Sequence, residues 1–443
     1  MRLPKPVVSA VIVAMAACAT AGRLPRPHAL VIVTLDTTRA DRLPVYGYAS
    51  VSTPALDRLA REGVVFDAAS SVAPLTLTAH TSLFTGLYPP HHRVQDNAAP
   101  PLDARRPTIA TILHAYGFRT AAFVGSTVLA ADRGLARGFD VYNDGCAPGV
   151  EPPRRRPGDQ VMDAALAWLD TVGWSPFLLW VHLYDAHAPQ TLPIMYRREY
   201  GDAYEGGIAF ADAQLQRLVD SLDRKRLLDM TAVIVAGDHG ESLGDHGEIE
   251  HGIFLYESTL HVPLVVRSPG LAPGRVSSVA SLADVLPTVL DLFGLPATQV
   301  DGASLKPALD GRRDLSPRGV YAESMYPLRF GWSPLRAFRD ERFKYIDAPR
   351  PELYDLEADP FEEHDLSRER PAVMAALRRQ LDAVVAGPPD ATDDGARVSP
   401  EVQARLAALG YTSGVVAADP ASSGRDPKDF IQIYNVARQR ARR

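Results

Sequence analysis

Residues 231–252 read TAVIVAGDHGESLGDHGEIEHG. The first six form a short unbroken apolar run, as in a strand covered on both faces. Gly237 follows, then Asp238 and His239, so a carboxylate and an imidazole stand where a strand opens into a glycine-rich loop. Parallel α/β sheets carry ligand-binding groups at that edge. Residues 29–35, ALVIVTL, repeat the pattern and lead into Asp36. Two carboxylates and an imidazole at one sheet edge suit a divalent cation. Either feature alone has a plain structural explanation, since an Asp after a strand often caps the next helix. Their pairing points to a metal enzyme rather than a binding module.

Around these two stretches, apolar runs alternate with amphipathic ones. Runs at 120–125, 177–184 and 263–267 read as further strands, and 54–62, 108–116, 160–171 and 208–227 as helices. Leu215, Leu218 and Leu222 give the last helix an apolar stripe. The alternation predicts an α/β fold, a mostly parallel central sheet with helices on both faces. After residue 310 the pattern changes. Residues 337–346, AFRDERFKYI, read as an antiparallel hairpin turning at Asp340-Glu341, within a small C-terminal α+β subdomain. Residues 387–399 have linker composition, and 400–409 and 430–442 read as tail helices.

The 443 residues are 46% hydrophobic and 23% charged, enough for a large core. A formal net charge of −6 argues against a nucleic-acid partner, which needs a basic face. No apolar run is long enough to span a membrane. Arg2 and Lys5 precede an apolar stretch at 7–17 and then Cys18, the layout of a secretory signal. Residues 15–18, MAAC, resemble a bacterial lipobox with Cys18 as the lipidated residue; cleavage near Ala21 and an uncut membrane anchor are the alternatives. Residues 1–22 are therefore read as a signal peptide of lipoprotein type. The expected location is exported: periplasmic, or held to the envelope by a lipid at Cys18, the sole membrane contact foreseen. Cys146 is the one other cysteine, so a chain with Cys18 lipidated or removed forms no intrachain disulfide.

A third motif is APLTLTAHTSLFTG at 73–86. Small and hydroxylated residues crowd the start of a helix expected from about Ala79, facing unpaired backbone N–H groups and the positive end of the helix dipole. Thr76 lies just before it. Either Thr76 or Thr78 caps the helix, or Thr76 joins Asp36, Asp238 and His239 around one cation as ligand and nucleophile at once. A threonine hydroxyl needs a metal or a base before it attacks.

With these motifs in hand, the chain resembles the sulfatase family of the alkaline phosphatase superfamily. The resemblance is carried, in order, by LDTTRADRLPVYGY (35–48), LTAHTSLFTGLYPPHHRVQDN (77–97), VHLYDAHAP (181–189), GDHGESLGDHGE (237–248), YESTLHVPLVV (256–266), LADVLPTVLDLFGLP (282–296) and ELYDLEADPFEEHDL (352–366). It implies an alkaline-phosphatase-like catalytic domain over 27–310, a C-terminal subdomain over 311–386, and a linker and helical tail over 387–443. It implies that Asp36, Thr76, Asp238 and His239 hold one divalent metal ion, calcium, manganese or zinc. It places Thr76 at the nucleophile position and His187 against the transferred group. His80 stands where many members carry an arginine, and His251 stands near a missing lysine as its replacement.

Departures from the family pattern refine the expectation. Sulfatases carry a Cys or Ser that becomes formylglycine, and Thr76 cannot form that aldehyde. Thr37 stands for the second acid of an Asp-Asp pair, and Ser126 and Val128 for a lysine and a histidine. Asp185 hints at a second metal, but its spacing from His187 favours one. The implied activity is hydrolysis of phosphate or sulfate esters on a small molecule or glycan through a covalent threonine intermediate, with phosphodiesters favoured. The alternatives are a transferase of phospho-head groups in the cell envelope and a catalytically silent binding protein. The tail, with ALGY at 408–411 and DPKDF at 426–430, resembles a linker to helical repeats, so a partner protein docking there is a further expectation. His91 and His92 are read as surface groups, Asp245, His246 and Glu248 as shaping their loop, and Tyr326 and Trp332 as packing the subdomain seam.

Overall fold

A computed structural model describes residues 25–145, 155–311, 315, 318–387 and 424–442. The leader expected at 1–22 with Cys18, Cys146, most of the linker and the 400–409 helix lie outside these residues. In chain order the strands are β1 (Ala29–Leu35), β2 (Val64–Phe66), β3 (Ala69–Ser70), β4 (Arg119–Val124), β5 (Val141–Asn143), β6 (Phe177–Leu183) and β7 (Thr231–Gly237). They continue as β8 (Leu264–Arg267), β9 (Gly274–Val276), β10 (Ala280–Ser281), β11 (Val320–Ser324), β12 (Leu335–Arg339), β13 (Phe343–Asp347) and β14 (Glu352–Asp355).

Eight strands form the central sheet in the order β5-β4-β6-β1-β7-β8-β2-β9. β1 lies between β6 and β7, parallel to both. Leu30 and Ile32 enter the core on one face, and Ala29, Val31, Val33 and Leu35 that on the other. Burial on both faces explains why the strand is apolar throughout rather than alternating. Each Leu or Ile so buried contributes about 1.5–3 kcal/mol. Helices Pro54–Glu62, Gly158–Val172 and Ala203–Arg224 cover one face, and Thr76–Thr85, Ile109–Ala115 and Val285–Phe293 the other. The sheet is therefore mostly parallel, as the alternation predicts. β8 runs against its neighbours, antiparallel to β7 and to β2.

The expected hairpin is β12–β13, with Arg339 opposite Lys344. It is half of a four-stranded antiparallel sheet, β11-β12-β13-β14. Helix Pro371–Val385 closes this sheet, sharing a core of Leu377, Leu381, Tyr321, Phe338, Tyr345 and Leu353. Lys344, 1% exposed, lies 2.6 Å from Glu362 and 3.0 Å from Glu257. This buried cluster ties the small sheet to the helical turn Glu257–Leu260 that precedes β8.

Some elements depart from the sequence reading. The helix expected from 208 begins at Ala203, because the Asp202 side chain accepts the N–H of Tyr204 at 2.7 Å and caps it earlier. His92 is not a surface group. The short helix Pro89–His92 packs it beneath the Thr76–Thr85 helix, with its Nε2 2.9 Å from Ser82 Oγ. His91 is half-buried and ion-pairs Asp301 at 2.7 Å.

Candidate metal centre

Register carries the first site residues to one level. Leu35 pairs with Gly237 on one side and Leu183 on the other, so the residues that follow, Asp36, Asp238 and Tyr184, emerge together at the carboxyl edge. Asp36, Asp238 and His239 are buried, and a donor atom from each lies within 4.8 Å of the other two. Thr76 is the first residue of its helix and brings Oγ1 to 3.3 Å from Asp36 Oδ2 and 3.3 Å from His239 Nε2. Neither threonine caps that helix: the side chain of Asn97 accepts the N–H of Leu77 at 2.9 Å. Freed from capping, the Thr76 hydroxyl faces the carboxylate and the imidazole. The four residues expected around one cation therefore converge.

The backbone is bent to hold this arrangement. Thr37 sits at φ 52°, a conformation costly for a β-branched residue. There its N–H donates to Asp238 Oδ1 at 3.1 Å, alongside that of His239 at 2.8 Å. Gly240 cannot be replaced freely, since a Cβ there would stand 2.1 Å from the Ser258 carbonyl oxygen. Arg39, buried beneath the loop, donates to the carbonyls of Glu241 and Ser242 and to Asp245 at 2.8–3.2 Å.

The electrostatics are those of a site made for a cation. Burial pushes Asp36 up to about 7, although His239 beside it pulls the other way. Burial, with Asp36 close by, also raises Asp238. Asp36 Oδ1 and Asp238 Oδ2 are buried without a hydrogen-bond partner. Unpaired buried acceptors are expensive, and a divalent ion would satisfy both. The donor set of two carboxylates, an imidazole and a hydroxyl fits that ion.

The other expected residues surround this cluster in different ways. His251 packs its ring 4.5 Å from His239 and 5.0 Å from His187, and its Nδ1 lies 3.0 Å from Glu241 Oε1. His187 stacks on Tyr184, donates from Nδ1 to the Ala188 carbonyl at 2.7 Å, and keeps Nε2 buried without a hydrogen-bond partner. Burial, reinforced by His251 and Arg155, holds His187 neutral, well below the usual histidine range. His80 is fully buried and uses both ring nitrogens inside the protein, on the Thr76 carbonyl at 2.7 Å and the Thr34 hydroxyl at 2.9 Å. Burial lowers it to about 3, with His182 adding to the effect. Asp185 accepts the N–H of Gly158 at 2.9 Å.

Sequence reasoning passed over Thr34, Trp180, His182 and Glu241, all close to this centre. The signal for His182 was present, a lone polar ring within the apolar strand FLLWVHL.

Comparison with known proteins follows the same outline. Residues 28–295 match the Sulfatase family model, and residues 244–386 match that of the N-sulphoglucosamine sulphohydrolase C-terminal region. A choline-sulfatase of Rhizobium meliloti is 38% identical over 166 residues, 36% of this chain and 31% of that protein. A Delta 4,5-hexuronate-2-O-sulfatase of Bacteroides thetaiotaomicron is 23% identical over 441 residues, 83% of this chain and 91% of that protein. Across the choline-sulfatase and human arylsulfatase K, the chain spans 31% and 47% of the relative's length. Among solved structures, a phosphonate monoester hydrolase of Agrobacterium radiobacter superimposes with a TM-score of 0.69 at 24% identity, covering 82% of this chain and 96% of that one.

Proposed function

The chain belongs to the sulfatase family, and from that premise we propose that it is an exported, metal-dependent hydrolase of phosphate or sulfate esters that works through a covalent threonine intermediate. Phosphodiesters are the favoured class and a small molecule or glycan the substrate body. One observation carries the reading: the Thr76 hydroxyl stands 3.3 Å from both Asp36 and His239, at the head of a helix whose cap is supplied by another residue.

The metal, when bound by Asp36, Asp238, His239 and Thr76, supplies Lewis acidity toward an ester oxygen and acidifies the hydroxyl. Thr76 Oγ1 attacks phosphorus or sulfur in line. Its proton passes to the bare nitrogen of a neutral imidazole beside the centre, the ester bond breaks, and that imidazolium returns the proton to the departing alkoxide. His187, whose Nε2 is bare because Nδ1 donates to Ala188, and His251, packed between it and His239, are the imidazoles for this transfer. A water then cleaves the threonine ester. In this reading His80 is a positioning residue: with both nitrogens engaged, it fixes the Thr76 backbone. Export rests on the basic, apolar and Cys18 pattern of the N-terminus.

The threonine is what turns the reading toward phosphodiesters, since it cannot form the aldehyde of sulfate-cleaving relatives. The test is a panel of aryl sulfate, aryl phosphate, bis-aryl phosphate and aryl phosphonate esters with the metal-loaded chain. Highest kcat/KM on the diester supports the reading. A dominant sulfate activity overturns it, and no turnover on any of the four favours a binding role.

A further inference from the structure

Behind Asp36 lies a closed set of polar contacts that determines where one proton sits. Trp180 donates its indole N–H to Thr34 Oγ1 at 3.0 Å. His80 Nδ1 lies 2.7 Å from the Thr76 carbonyl, which only accepts, so this nitrogen carries the proton. In a neutral ring His80 Nε2 is then bare, and it takes the Thr34 hydroxyl proton across 2.9 Å. With that proton committed, His182 Nδ1, 3.1 Å from the same oxygen, must be the N–H that donates to it. His182 Nε2 is left as an unprotonated lone pair.

That lone pair is buried and has no hydrogen-bond partner. It lies 3.3 Å from Asp36 Oδ2, itself an acceptor. Two lone pairs held this close in a dry interior are relieved by a shared proton or by a bound cation. The position is not accidental, because β6 pairs with β1 and sets His182 directly opposite Thr34, two residues before Asp36. The other ring nitrogen of a metal-binding histidine commonly donates to an oxygen that fixes its tautomer, and Thr34 does this for His182.

We propose that His182, through Nε2, is an additional nitrogen donor to the metal centre, beside Asp36, Asp238, His239 and Thr76, with Thr34 as the residue that fixes its tautomer. It extends the tight set of three from the β6 side, next to Asp36. The inference rests on the metal-enzyme reading above and specifies the centre as a two-histidine site.

The test uses the full chain loaded with Mn²⁺. Pulsed electron paramagnetic resonance counts coordinated imidazole nitrogens, and titration gives the affinity. The expected count is two in the parent chain and one in His182→Phe. The affinity of that variant should fall by more than the 10–100-fold typical of losing an outer hydrogen bond, roughly. Thr34→Val should keep both nitrogens and weaken binding by about 10–100-fold. His182→Gln serves as the second variant if Phe does not fold, as read by circular dichroism of the metal-free protein. A single imidazole in the parent, or an unchanged count in the His182 variant, overturns the inference and leaves the metal-enzyme reading standing. No Mn²⁺ binding by the parent overturns both.

Discussion

Arg438 reaches back from the last helix of the chain and donates to Glu250 at 2.5 Å, one residue before His251. The helix Ile431–Arg442 buries Ile431 and Tyr434, and Tyr434 packs against Tyr326, Phe330 and Trp332. Asn435 adds hydrogen bonds to Ile249 and Gly247. The tail is thus docked on the loop that carries His251. A tail serving only a distant partner would be dispensable for activity; this one should not be. Arg438→Ala removes the ion pair from buried Glu250, which costs about 1–3 kcal/mol. Urea unfolding should show that loss, and kcat should fall several-fold. Unchanged stability and turnover would mean that the docking is inconsequential.

Thr76→Ala should reduce turnover by at least about 1,000-fold, as loss of a nucleophile does, while the metal content of the purified protein persists. Thr76→Ser keeps a hydroxyl and should retain most of the activity. Trapping the covalent ester by rapid acid quench and locating it by mass spectrometry tests the same step. A Thr76→Ala chain that still turns over ends the nucleophile assignment.

The pH dependence has a definite sign. Without metal, burial raises Asp36 to about 7, above its ordinary 3.8. The folded metal-free chain therefore binds the proton more tightly than the unfolded chain does. Its Asp36 contribution to stability is favourable at low pH and is lost as pH rises from about 4 to about 7. Metal binding needs the carboxylate, so it must expel that proton below about pH 7, and apparent affinity should fall as pH drops. Calorimetry in two buffers of different ionisation enthalpy should detect proton release at pH 6 and much less at pH 8.

Lys344 sits between Glu257 and Glu362 with 1% of its side chain exposed. Lys344→Met leaves two buried carboxylates without their shared cation, a loss of about 3–5 kcal/mol. Chemical denaturation should register it. The turn that carries Glu257 also accepts the Gly240 N–H on the Thr259 carbonyl at 2.8 Å, beside His239, so metal affinity should weaken along with stability.

Much of this was legible because the centre is built from strand ends. β1 and β7 are written as apolar runs, and Asp36, Asp238 and His239 follow from where those runs stop. What was not legible depends on partners far along the chain. The helix beginning at Thr76 starts three residues earlier than its composition implies, because Asn97, twenty positions beyond Leu77, accepts the Leu77 N–H and caps it. His182 meets Thr34 across 148 residues, through a strand register that no local pattern encodes. His92 is buried because its short helix folds back onto Ser82. The reversed direction of β8 is likewise a property of the sheet, not of its own four residues.

The contiguity of β6, β1 and β7 has an evolutionary consequence. Interior strands are the last portion of a protein to open, so the candidate metal centre is rooted where change is least tolerated. Within the C-terminal sheet, and between it and the final helix, exposed or partly exposed charges such as Arg342 with Asp355 and Arg350 with Asp429 hold the periphery together. Such fastenings can be rewritten cheaply. A lineage built on this scaffold can therefore re-tailor its periphery while inheriting the same centre.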